Sequence, residues 1–100
     1  METIRQGDLL FVRVAEVPTG EHAPVADGIL ARGEATGHTH QLRAAAHNRA
    51  VRVAQMLYVI AAAQAHVDHQ EHATVVLPLG TWQVKRQREY RPDGWVQVAD

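Results

Sequence analysis

The chain has 100 residues, of which 46% are apolar and 21% are charged. This length fits one compact domain, so we expect residues 1–100 to form a single domain. The composition is that of a globular protein and excludes a disordered, collagen-like or supercharged chain. Ten Lys and Arg residues against eleven Asp and Glu residues give a formal net charge of -1, so no overall positive charge attracts nucleic acid or an anionic membrane.

Two missing residue types narrow the chemistry further. The chain has no cysteine, which excludes disulfides, thiolate metal ligands and a cysteine nucleophile. It also has no serine, which excludes a Ser-His-Asp triad. The start of the chain lacks the features of a secretory signal, and the longest apolar run, 56–63, is far shorter than the ~20 residues that cross a bilayer. We therefore expect a cytoplasmic protein without a membrane span.

Glycine and proline residues divide the first half of the chain into short pieces, which is typical of strands. The apolar and β-branched run 9–14 predicts a buried strand. Segments 28–34 and 38–43 predict two more strands, on either side of a turn that contains Gly37. Between the first two strands, segment 16–27 contains two prolines and no hydrophobic period, which predicts a surface loop.

The middle of the chain allows two interpretations. Residues 51–55 alternate between apolar and polar and 57–60 are strand-like, so we favour two strands over 50–55 and 56–62, with a turn before them at residues 47–49. The alanine-rich composition leaves a helix over 50–65 open, because Arg49, Arg52 and Gln55 recur at a spacing of three. No capping pattern precedes that segment, which counts against the helix.

The last third of the chain predicts strands again. The β-branched run 72–77 ends at the turn Pro78-Leu79-Gly80, and a strand over 81–90 is followed by the turn 91–94 and a short strand over 95–98. Many short strands separated by regular turn signals predict an all-β fold. We expect a small barrel or sandwich of short, mostly antiparallel strands.

The strongest functional signal is the concentration of histidines in two short segments. His38 and His40 are two residues apart, so on a strand both imidazoles point to the same face. His69 and His72 are three residues apart, so they can share a site only if segment 68–71 turns before the next strand begins. Whether His66 joins this site is left open.

Imidazole groups that converge in a cysteine-free domain predict a metal site. We expect a divalent transition metal (Zn, Ni, Fe, Mn or Cu) held by His38, His40 and His72, with His69 as the fourth candidate. Glu71 could act as a ligand or as a catalytic general base, and Asp68 could orient an imidazole. An open position on the metal would leave room for a small-molecule ligand. The pattern does not decide between a metal-dependent enzyme and a metal-binding module.

Two short motifs resemble those of the cupin superfamily. Gly33 precedes the segment His38–His40 by a short spacer, and Pro78–Gly80 lies at a strand turn. This resemblance implies a small β-barrel that holds a divalent metal through histidines, and carries over only His38 and His40 as metal positions. The chain differs from the cupin pattern at 42–44, where the family has a glutamate, and at Gln83, where it has a histidine.

Two alternative functions remain. The chain could be a non-catalytic module that docks onto a partner or a second copy through exposed strand edges, with histidines that make it pH-sensitive; on this ground we expect a homo-oligomer. It could instead bind phosphate or nucleic acid through the basic strand Lys85–Arg91. The slightly negative net charge argues against the nucleic-acid interpretation.

Overall fold

The computed structural model describes the backbone of residues 2–33, 36–91 and 94–97, and the side chains of residues 2–33 and 36–87. These residues form twelve strands and no helix. The strands are β1 (Thr3–Gln6), β2 (Leu9–Val14), β3 (Ala23–Pro24), β4 (Ile29–Arg32), β5 (Thr39–Leu42), β6 (Asn48–Val53), β7 (Met56–Ala61), β8 (Ala65–Asp68), β9 (Val75–Leu77), β10 (Gly80–Arg86), β11 (Arg88–Arg91) and β12 (Gly94–Gln97). In this part of the chain, no helix with the length and hydropathy needed to cross a bilayer is found.

The strands form two main antiparallel sheets. One sheet has six strands in the order β1-β2-β10-β7-β6-β3, and the other has four in the order β4-β5-β8-β9, while β11 and β12 pair with each other. The prediction of an all-β fold with short antiparallel strands is confirmed. Both sheets are open, so a sandwich describes the fold and a closed barrel does not.

The main core lies between the two sheets. Phe11, Val59 and Trp82 come from the six-stranded sheet, Val67 and Leu77 come from the four-stranded sheet, and all five are completely buried in one cluster. On β8 the buried and half-buried residues alternate, as expected for a strand with one face on a core. Because neighbouring side chains alternate between faces, the same strands also decide which polar groups point inward.

The hairpin of β6 and β7 shows that the helix alternative for residues 50–65 is wrong. These two strands pair along their full length, from Asn48 opposite Ala61 to Val53 opposite Met56. The two residues that join them, Ala54 and Gln55, both have positive φ angles, of 50° and 69°. Such a two-residue turn matches the right-handed twist of the paired strands, so strand pairing overrides the helix propensity of alanine.

Several predicted boundaries shift. The strand predicted over 72–77 begins only at Val75, because residues 70–72 bend, and the strand predicted over 81–90 is interrupted after Arg86. The loop predicted over 16–27 contains the two-residue strand β3. Strands β1 and β8 were not predicted, because β1 is short and polar and β8 contains a histidine and an aspartate.

Candidate functional site

Four of the histidines meet around the ring of His69, next to β5 and the connection between β8 and β9. His40 lies on β5, and its ring is completely buried, as expected for a position that alternates with the exposed Gln41. The ring of His69 is in contact with three others: its centroid lies 4.5 Å from that of His40, 4.6 Å from that of His72 and 5.4 Å from that of His38. The structure thus brings together the four histidines that the sequence singled out.

His69 creates the turn that the shared site requires. Its Nδ1 accepts hydrogen bonds from the backbone N–H groups of Glu71, at 3.0 Å, and His72, at 3.1 Å. Gln70 connects the same turn to β5 through two hydrogen bonds. Its Oε1 accepts one from the backbone N–H of Thr39, and its Nε2 donates one to the Thr39 hydroxyl. The chain therefore bends between β8 and β9 and carries His72 back toward His69.

His40 is held differently from the other three histidines. Its Nδ1 lies 2.8 Å from Gln6 Oε1, and its Nε2 lies 3.1 Å from Asp8 Oδ1. Gln6 uses its amide nitrogen to donate to the carbonyl oxygens of Val67 and Ala73, which leaves its oxygen facing His40. Both ring nitrogens therefore face oxygen acceptors, an arrangement that favours the imidazolium form.

The negative charge that balances His40 comes from Asp8, which is completely buried. Asp8 Oδ2 accepts a hydrogen bond of 2.8 Å from Arg86 Nε, so the carboxylate lies between two cations. The sequence interpretation missed Gln6 and Asp8, and it placed Arg86 on a basic strand without connecting it to a histidine. The only available signal was a pair of polar residues around Gly7, just before the buried strand β2, and nothing local connects them to a histidine.

Two imidazole nitrogens in the cluster have no partner among the described residues. His38 Nδ1 and His72 Nε2 are buried, and neither has a hydrogen-bond partner among the residues that the structure describes. The other nitrogen of His38 lies 3.6 Å from Glu71 Oε1, so the carboxylate favours a proton on Nε2 and a lone pair on Nδ1. A buried nitrogen left unpaired costs about 1–3 kcal/mol, so these two positions call for a ligand.

The cluster is not preassembled for a metal ion. Within the described part of the chain, no group of three or more His, Cys, Asp or Glu residues has its ligand atoms arranged to hold one. His69 contributes to this, because its Nδ1 accepts two backbone hydrogen bonds and its neutral ring therefore carries the proton on Nε2. His40 contributes as well, because both of its nitrogens face Gln6 and Asp8 rather than a common centre.

Asp68 and His66 lie away from the cluster. They alternate with the buried Val67 on β8, so both point to the outer face of the four-stranded sheet. Asp68 accepts two hydrogen bonds from Arg43 and one from the Thr74 hydroxyl. The hydrogen bond from Arg43 lowers the pKa of Asp68 below its usual value, with a further contribution from Thr74, and Asp68 in turn raises the pKa of Arg43. Asp68 therefore stabilises this face of the sheet rather than orienting an imidazole of the cluster.

Replacing Asp68 by asparagine is expected to change the pH dependence of stability. Because the pKa of Asp68 is lower in the folded chain than in the unfolded one, near 3.9 for a free Asp, its contribution is complete above about pH 5 and is lost as the pH falls through the folded pKa. The loss at pH 6 should be small, since the pair is exposed. Urea denaturation at pH 6 and near pH 3 would measure it.

The control is the same substitution in an Arg43→Met background. There the stability difference between aspartate and asparagine at position 68 should depend less on pH, because the main hydrogen-bond donor is gone. A stability difference of equal size at both pH values would contradict the assigned role of the Arg43–Asp68 pair.

The basic strand predicted over Lys85–Arg91 is only partly described. Lys85 is exposed, whereas Arg86 is bound to Asp8 and also donates through Nη2 to the carbonyl oxygen of Arg32. The side chains of residues 88–91 lie outside the described part of the chain. Arg86 therefore serves the buried network, and the alternative of a nucleic-acid surface on this strand stays a prediction.

Fold and site together define a class: a small open β-sandwich in which a half-buried histidine cluster lies beside a buried His-Asp pair that is bound by an arginine. Residues 5–87 match a family described as "Domain of unknown function (DUF8820)", and the chain belongs to that family. The match includes every residue of the cluster and of the network. No curated protein and no solved structure matches the chain.

Proposed function

We propose that this protein binds one divalent transition metal ion at the histidine cluster, with His38 Nδ1 and His72 Nε2 as the two principal ligands. The observation that carries the proposal is the pair of buried imidazole nitrogens without a partner among the described residues, on rings that both contact His69. Neutral imidazole nitrogen is a common ligand of zinc, copper, iron and nickel.

The surroundings of His38 support this role. A metal-bound imidazole usually donates its other N–H to a carboxylate or carbonyl group, which sets the tautomer. Glu71 lies near His38 Nε2 at 3.6 Å, and its side chain is 64% exposed. Glu71 would orient His38, and its carboxylate would offset part of the added positive charge. A catalytic role for Glu71 as a general base requires a substrate at the metal and remains a prediction.

His69 would be the third ligand, at the cost of a local rearrangement. Its ring has to turn over, or lose the proton on Nε2, because Nδ1 now accepts the backbone hydrogen bonds of the turn. His40 is left out of the proposed ligand set, since its nitrogens are occupied by Gln6 and Asp8. The metal would therefore be held by three histidines and keep an open position, as catalytic zinc sites do.

The test is metal content and affinity in untagged protein. We expect elemental analysis after dialysis against Zn²⁺ to show about one metal per chain, and Co²⁺ to give the visible absorption of a low-coordinate nitrogen site. Changing His38 or His72 to alanine should weaken Zn²⁺ binding by more than about 100-fold, since even losing an orienting group costs 10–100-fold. Competition with a fluorescent chelator would measure the affinities.

Two exposed loop histidines provide matched controls. His22 and His47 lie outside the cluster, so replacing either by alanine should leave the affinity and the stoichiometry unchanged. Equal losses from the loop and cluster variants would assign the bound metal to nonspecific surface binding. No metal retained after dialysis, with weak and non-saturating titrations, would reject the proposed function.

A further inference from the structure

A second concave site lies at the end of the sandwich where β2, β7 and β10 approach β4. The registers place Leu57 beside Val84 and Leu9 beside Arg86, so the beginnings of β2 and β7 and the end of β10 meet there. The cleft has a volume of about 470 Å³, which is in the range of small-molecule sites. No histidine lines it, so this cleft is separate from the proposed metal site.

The floor of the cleft is apolar. Leu9, Leu30, Leu57 and Val84 line it, and each is at most 9% exposed. These side chains belong to the main core, so the floor is held in place by both sheets. Binding of a ligand with a hydrocarbon body would remove apolar surface of the ligand and of the floor from water, which is favourable.

The rim of the cleft is cationic. Arg32, Arg52 and Arg86 are among the lining residues, and the described residues that line the cleft include no aspartate or glutamate. Arg32 and Arg52 are exposed, whereas Arg86 is fixed by its bonds to Asp8 and to the backbone of Arg32. The guanidinium group is suited to a planar carboxylate, which it can bind through two parallel hydrogen bonds.

The β6–β7 turn adds a third feature. Gln55 and Met56 line the cleft next to Arg52, and Met56 is 41% exposed. Ala54 and Gln55 occupy the left-handed backbone region, where residues other than glycine are strained. A turn of this type normally uses Asn-Gly, and in this chain it instead keeps a polar amide beside a flexible apolar side chain at the mouth of the cleft.

We propose that this cleft binds a small amphipathic carboxylate, with its hydrocarbon body on the leucine floor and its carboxylate at the arginine rim. The apolar floor disfavours a fully polar anion such as phosphate or citrate, and the arginine side chains at the rim disfavour a cation. Arg32 and Arg52 bind the carboxylate, and Gln55 contributes a neutral hydrogen-bond donor. Neither ligand nor binding mode depends on the metal.

Octanoate and 1-octanol form a matched pair of probes, since they share the chain length and differ in charge. We expect octanoate to bind saturably, to shift the methyl resonances of Leu9, Leu30, Leu57 and Val84, and to bind at least about tenfold more tightly than octanol. Raising the salt concentration should weaken octanoate binding and leave octanol nearly unaffected. Two-dimensional NMR titrations at fixed pH measure the resonance shifts, the two affinities and their dependence on salt.

Two variants test whether octanoate needs the arginines of this rim or only any exposed arginine. The double substitution Arg32→Gln and Arg52→Gln should reduce octanoate affinity at least tenfold, and Arg49→Gln should not, because Arg49 is an exposed arginine of the same β6 strand that does not line this cleft. The proposal would be overturned if octanoate bound both variants with equal affinity, or if octanol bound as tightly as octanoate. It would also be overturned if octanoate shifted only resonances of residues outside the cleft, or if octanoate showed no saturable binding. The His38→Ala variant should bind octanoate as tightly as the wild type does. A failure of the metal proposal and a failure of the carboxylate proposal can therefore be told apart.

Discussion

Replacing Asp8 by alanine is expected to lower the free energy of unfolding by about 3–5 kcal/mol, the cost of breaking a buried ion pair by removing one partner. Asp8 is completely buried between His40 and Arg86, at 3.1 Å and 2.8 Å. Without its carboxylate, the imidazolium of His40 would have to lose a proton or remain buried without its counter-ion. Urea denaturation followed by tryptophan fluorescence would measure the loss.

The exposed ion pair between Glu2 and Arg13 provides the matched control. It also joins an arginine Nε to a carboxylate at 2.8 Å, but the side chains of Glu2 and Arg13 are 49% and 33% exposed. Glu2→Ala should therefore cost less than about 1 kcal/mol. Equal losses for Asp8→Ala and Glu2→Ala would contradict the stabilising role of the buried network.

Zinc is expected to stabilise the wild-type protein by about 2.7 kcal/mol when the free metal is present at 100 times its dissociation constant. The physical reason is that the folded chain gathers His38, His69 and His72 while the unfolded chain does not, so binding free energy adds to folding free energy. Thermal denaturation with and without Zn²⁺ would measure the shift in Tm.

The His38→Ala and His72→Ala variants should lose this stabilisation. When metal is absent, their free energy of unfolding should be no lower than that of the wild type. The reason is that the penalty of the small cavity is offset by removal of the unpaired buried nitrogen. A zinc-dependent increase in Tm that persists in both variants would place the stabilising metal elsewhere on the chain.

The buried network connects the two proposed sites. Arg86 lines the cleft at one end and binds Asp8, Asp8 binds His40, and the ring of His40 contacts His69. The same network joins the β1–β2 turn and β10 of the six-stranded sheet to β5 of the four-stranded sheet. It therefore links the two sheets through side-chain hydrogen bonds next to the histidine cluster.

Parts of this site could be predicted because their signals are local. The alternation of faces along a strand placed His38 and His40 on one side, and the bend at 68–71 that a shared site required is present. The difference between these two histidines could not be predicted. The alternation pattern assigns both histidines to the same face of the strand. Only the ring nitrogens of His40, however, face Gln6 and Asp8, which lie more than thirty residues away in sequence.

The chain by itself determined the all-β class, the exclusion of thiol chemistry and the concentration of histidines in two segments. These follow from composition and from short-range patterns, which need no knowledge of distant contacts. Tertiary structure decided that the sheets stay open and that residues 48–61 form a hairpin. It also decided that both nitrogens of His40 face Gln6 and Asp8, whereas His38 and His72 each keep a buried nitrogen unpaired within the described residues. The physical reason is that hydrogen-bond partners set the protonation and the role of a histidine, and in a sandwich those partners come from strands remote in sequence.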